Sequence, residues 1–98
     1  MNDKTVTLIV PLRARKGKGD LLQQRIAELV RIVRTENGNI CYRSLRSATD
    51  PDSFVFFEQW ESQAALDKHN QQPHLAEFAA DRDNLIDGEI TDMFFNEF

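Results

Sequence analysis

The sequence predicts an α+β domain: a four-stranded antiparallel sheet with helices on one face, in the order β-α-β-β-α-α-β. Three observations predict it. Residues 5–13 alternate with a period of two and carry one fully apolar face. Residues 18–36 carry an apolar stripe at helical spacing. Two further alternating runs, 40–47 and 53–61, are joined by the turn residues Asp50-Pro51-Asp52. Strand side chains alternate between faces and helical ones return every turn, so the two patterns separate over runs of this length.

In the first strand Val6, Leu8, Val10 and Leu12 share one face, and Thr5, Thr7, Ile9 and Arg13 share the other. Pro11 has no N–H to give a ladder, which suggests an edge or a bulge there. Gly17 and Gly19 break the chain before the first helix. Leu22, Ile26, Leu29, Val30 and Val33 form its inward stripe, and Asn37-Gly38 closes it. The second and third strands pair as a hairpin, with proline pre-setting the turn. Ser62 is a good N-cap for a short helix with Ala65, Leu66 and His69 on one side. Pro73 fits the first position of the next helix, whose inward stripe is Leu75, Phe78, Ala79, Arg82, Leu85 and Ile86. Gly88 ends that helix, and 89–96 is the fourth strand.

This order interleaves two β-α-β units into a ferredoxin-like sheet. One face takes the helices. The other stays bare, yet Phe54, Val55, Phe56 and Phe57 put apolar groups on both faces of the third strand. An apolar face must be buried against something, so a sheet-on-sheet homodimer is expected.

Ninety-eight residues make a single domain spanning 1–98, one that buries roughly 60–65% of its unfolded surface. Twelve basic and sixteen acidic side chains leave a net charge of −4, which argues against nucleic acid or an anionic membrane as partner. Cys41 is the only cysteine, so no intramolecular disulfide and no cysteine-rich zinc site can form; a reducing, cytoplasmic setting fits. The N-terminus lacks a basic stretch followed by an apolar run, so no secretory leader is expected, and no apolar run reaches the ~20 residues of a membrane helix. The third strand puts Glu58 and Trp60 on one face, and His69 and His74 follow closely. An acid, an indole and two imidazoles outline a small-molecule pocket without naming the molecule.

The chain resembles the antibiotic biosynthesis monooxygenase domains of the dimeric α+β barrel superfamily. The resemblance covers about 5–95. It is carried by Glu36-Asn37-Gly38-Asn39-Ile40-Cys41-Tyr42, Asp50-Pro51, Phe57-Glu58-Gln59-Trp60, Ala65-Leu66-Asp67-Lys68-His69, Pro73-His74-Leu75 and Phe78. It implies a homodimer whose two sheets close a barrel, with a pocket between sheet and helices in each protomer. It also implies a monooxygenase that oxidises a small aromatic or quinol-like substrate with O₂ and needs no metal, flavin or haem. Relatives that isomerise a phosphorylated sugar derivative or degrade haem share the fold, so fold is better specified than reaction.

Such chemistry needs a base, a dry apolar pocket and donors for the developing anion. His74 is the expected base, because imidazole titrates near neutrality; the alternative is a backbone hydrogen bond at the helix junction. His69 assists it, contacts substrate, or is a satisfied structural histidine. Glu58 orients a histidine or a substrate hydroxyl, or pairs with Arg43, Arg46 or a helix residue. Trp60, matching the family's strand-three tryptophan, donates its indole N–H to an anionic oxygen or simply packs the core. Tyr42, Phe56 and Phe78 are the remaining candidate wall residues, and Cys41 reads as a small buried hydrophobe. His69, His74 and Glu58 match no zinc-motif spacing.

The departures are specific. Family members that form polyketide quinones carry an Asn four residues before the tryptophan, where this chain has Phe56. Haem degraders use an Asn in the first strand, where this chain has Val10 or an apolar neighbour, and Trp60 and His69 meet their spacing only approximately. Two other functions stay open. An isomerase of a phosphorylated metabolite would need a cationic patch from Arg43, Arg46, Lys68 or Arg82. A non-catalytic binding module would turn the histidines away from the pocket.

Overall fold

A computed structural model describes residues 4–98. Residues 1–3, and with them part of the leader and single-domain expectations, lie outside the described residues. The elements are β1 (Val6–Ala14), α1 (Gly19–Val33), β2 (Asn39–Arg46), β3 (Ser53–Trp60), α2 (Gln63–His69), α3 (Pro73–Ala80), α4 (Arg82–Leu85), β4 (Ile86–Asp87) and β5 (Met93–Phe95). The sheet runs β2-β3-β1-β4, and β5 also pairs with β1. Every pairing is antiparallel. The α+β, ferredoxin-like expectation is met.

The register explains the core. Leu8 lies opposite Glu58, Val10 opposite Phe56 and Leu12 opposite Phe54, while Tyr42 lies opposite Glu58 from the other side. These side chains therefore share one face. There they meet Leu22, Ile26, Leu29, Val30 and Val33 of α1, together with Leu66 of α2, all of them buried. Cys41 lies on the opposite face and is only half-buried, so it is not the core residue expected of it.

β1 is central rather than an edge strand. The Ala14 N–H donates to Asp52 O and the Arg15 N–H to Leu85 O, so even residues bond toward β3 and odd residues toward β4 and β5. Pro11 is odd. It faces the gap between β4, which pairs with Arg13 and Ala14, and β5, which pairs with Thr7 to Ile9. Its missing N–H falls where no partner strand runs.

The C-terminal third differs most from expectation. The long helix divides at Asp81, which pairs with Arg25 of α1 at 2.6 Å. Ile86 leaves the helix for β4, and Gly88 then turns the chain at φ +81. The strand expected over 89–96 is thus only β5, Ile86–Asp87 at the expected helix end forms a strand of its own, and 88–92 lies outside the ladder. That detour carries Ile90 against the core and Asp92 toward the helices. Among the described residues, no helix is long and apolar enough to cross a membrane.

Candidate active site

Between sheet and helices lies a cavity of about 180 Å³. Leu8, Val10, Leu29, Phe56, Leu66, Leu75, Phe78 and Ile90 give it apolar walls. Tyr42, Glu58, His69, Asn70, Arg82 and Asp92 add polar groups. Helix α2 delivers His69 because the Ser62 side chain accepts from the Ala65 N–H and starts the helix there, so that Leu66 and His69 fall on the buried side.

His69 is the centre of a chain of contacts. Its Nδ1 is 2.9 Å from Glu36 Oε2, and its Nε2 is 3.9 Å from Glu58 Oε1. The same Glu36 oxygen lies 2.8 Å from His74 Nε2. A carboxylate oxygen at that shared point accepts from both rings, which puts a proton on each facing nitrogen. That leaves His69 Nε2 as the lone-pair nitrogen on the Glu58 side. Trp60 packs against the His69 ring at 4.5 Å between centroids, tilted by 34°, and its indole N–H donates to Glu58 Oε1 at 3.0 Å. Tyr42 meets the His69 ring edge-on at 5.6 Å.

Burial pushes the Glu58 carboxyl up, the Trp60 hydrogen bond opposes this, and the charges of Asp92 and Glu36 add to the rise, leaving it at about 7. Burial likewise raises the Tyr42 phenol far above its ordinary value, helped by Glu58, Glu36 and Asp92. Tyr42 therefore stays a neutral hydroxyl. No buried side-chain nitrogen or oxygen among the described residues lacks a hydrogen-bond partner.

Over residues 5–81 the chain matches the family model for antibiotic biosynthesis monooxygenase. The chain belongs to the antibiotic biosynthesis monooxygenase family. It is 29% identical to the probable quinol monooxygenase YgiN of Escherichia coli K12, over 90% of each chain. It is 42% identical over 53 residues to the protein sll1783 of Synechocystis; that match takes in 54% of this chain and only 36% of the relative's length. The crystal structure of PA3566 from Pseudomonas aeruginosa superposes with a TM-score of 0.87 at 26% identity, covering 99% of both chains.

In this family member the cavity wall holds His69, Glu58, Tyr42, Phe56 and Phe78 of the residues expected from the sequence. Trp60 and His74 stand behind it. Trp60 is fully buried and gives its N–H to Glu58, not to the cavity. His74 lines a separate surface recess and reaches the site only through Glu36. Of the four candidate cations of the isomerase reading, only Arg82 lines the cavity, and it donates to Gly88 O at 3.3 Å. Arg43 and Arg46 line a groove beside α1, and Lys68 another surface.

Glu36, Asn70 and Asp92 escaped the sequence reading as site residues. Glu36 left a signal: an acid just past a helix C-terminus is electrostatically misplaced and needs a partner. Asp92 left none, because the detour that positions it is a long-range feature.

Proposed function

We propose that the protein is a cofactor-independent monooxygenase acting on a small phenolic or quinol-like ring. The observation that carries this reading is the cavity itself, with one imidazole lone pair, one carboxyl and one neutral phenol gathered in otherwise apolar walls. An apolar cavity of about 150 Å³ takes a benzene ring. About 180 Å³ therefore suits one substituted ring rather than three fused ones.

His69 Nε2 removes the phenolic proton, with Glu58 beside it. Glu36 and His74 hold the ring in the tautomer that exposes this nitrogen, so His74 acts as a positioning residue and not as the base first expected. Trp60 orients Glu58, and the Tyr42 hydroxyl faces the developing anion. The phenolate gives one electron to O₂, and the resulting radical and superoxide combine at a ring carbon bearing hydrogen. Protonation yields a hydroperoxide. Loss of water, with departure of that carbon's proton, leaves a quinone. One oxygen atom of O₂ enters the product and the other leaves in water.

The protein is proposed to work as a single domain in a homodimer, with its bare sheet face against a second copy. The test is O₂ uptake by metal-free protein given a panel of one-ring phenols and hydroquinones. The expected result is one atom of isotopically labelled O₂ in each product molecule. His69→Ala is expected to lose on the order of 10²-fold or more in turnover. An unimpaired His69→Ala variant would remove the base, and no uptake across the panel would sink the reading.

A further inference from the structure

One carboxylate and two imidazoles meet behind the cavity wall, on the side of His69 that faces Glu36, with their ligand atoms converging. Glu36 Oε2, His69 Nδ1 and His74 Nε2 all lie within 4.8 Å of one another. We propose that Glu36, His69 and His74 bind a divalent transition-metal ion of the Zn²⁺ class.

The donor set is the first reason. Two imidazoles and one carboxylate suit Zn²⁺, Co²⁺, Ni²⁺ or Fe²⁺, not the all-oxygen preference of Mg²⁺ or Ca²⁺. Spacing is the second. Metal bonds of about 2.0–2.1 Å set neighbouring ligand atoms roughly 3 Å apart. The carboxylate oxygen already stands 2.9 and 2.8 Å from the two nitrogens, and all three ligand atoms lie within 4.8 Å of one another, so side-chain adjustment without backbone movement admits the ion.

Charge is the third reason. The side chains of Glu36 and Glu58 are 9% and 7% exposed. Among the described residues, neither pairs with a lysine or an arginine. Glu58 meets the cost of burial by holding its proton, but a Glu36 carboxylate buried without a cation is costly, and a divalent ion supplies the missing positive charge. The outer partners also fit. Ligating histidines commonly face a carboxylate with their second nitrogen, and His69 Nε2 faces Glu58.

There is a way in. His74 opens onto a surface recess of about 120 Å³ whose rim carries Glu28 and Glu77. The one arginine there, Arg25, is held by Asp81. Metal at Nδ1 moves the His69 proton to Nε2, turning the cavity-side lone pair into a donor. The ion would then silence the proposed base. This consequence rests on the oxygenase reading; the site does not.

The experiment is a titration of metal-free protein with Co²⁺. One ion per chain is expected, with a visible d–d absorption that Zn²⁺ abolishes. His74→Ala is expected to weaken binding about tenfold or more, with an unchanged circular dichroism spectrum. In the unaltered protein, Zn²⁺ should shift the ring-nitrogen NMR signals of both histidines. Absence of the band, undiminished affinity in His74→Ala, or unmoved ring signals would overturn the site. Metal binding by a protein that consumes no O₂ upholds the site and sinks the oxygenase reading; turnover without metal binding does the reverse.

Discussion

Glu58 is a carboxyl in an apolar wall, and its environment makes the protonated form persist. Burial raises it to about 7, where an ordinary carboxyl titrates at 4.5. Between those values the folded protein holds a proton that the unfolded chain has released. The sign follows: this stabilisation is complete below about pH 4.5 and is lost as pH rises through about 7. Its size is on the order of 3 kcal/mol. Glu58→Gln in metal-free protein should therefore gain about that much relative to the native protein between about pH 5 and pH 8. Urea unfolding of both proteins at the two pH values measures it; parallel stability curves would contradict the assignment. At this scale the Glu58–Trp60 pair was legible, because alternation alone puts both on one face. The role of His74 was not. Its sequence position beside Pro73 fixes the helix start but says nothing of Glu36, thirty-eight positions earlier, which separates it from the cavity.

The turn between α1 and β2 controls where Glu36 ends up. The Glu36 N–H bonds to Val33 O, and the Glu61 N–H bonds to Gly38 O, which clamps the turn against the end of β3. Gly38 sits at φ +86, and a Cβ there would come 2.5 Å from the Ala65 Cβ on α2. Gly17 has nearly the same φ, +81, but no atom within 4 Å of an added Cβ. Gly17→Ala should thus cost only the backbone penalty, about 1 kcal/mol. Gly38→Ala should cost more, on the order of 2–4 kcal/mol, because α2 must move and take His69 away from Glu36. Thermal unfolding of the two variants, with histidine NMR as a local readout, separates these effects. Equal losses would show that the close approach to α2 is unimportant. The elements that hold the site, α1, β2, β3 and α2, were readable from periodicity, the Ser62 cap and the Asn37-Gly38 stop. The division of the C-terminal strand was not: Leu85 and Ile86 read as the end of a helical stripe, and only pairing with β1 makes Ile86–Asp87 a strand.

Across the whole molecule, the helices cover one sheet face only. The other presents Arg43, Phe57, Ile9 and Met93 in one cross-strand row, flanked by Leu45, Val55 and Pro11 on one side and by Cys41, Gln59, Thr7 and Phe95 on the other. Leu45, Met93 and Phe95 are 48%, 41% and 46% exposed. A contiguous apolar face of this kind is unusual on a stable monomer. It is also self-complementary in composition, as a two-fold contact requires. A small domain gains most from such a contact, since its own core is limited. The proposed dimer places Phe57, on an inner strand of the sheet, near the middle of that contact. Phe57→Glu would bury a charge there with no partner, at a cost of several kcal/mol. Sedimentation should find the native chain at twice the mass of this variant at micromolar concentration. The variant should also unfold at lower urea concentration, because the folded monomer loses the linkage to its partner. A native chain that sediments as a monomer, or a Phe57→Glu variant that stays dimeric, would mean that this face is not where two copies meet.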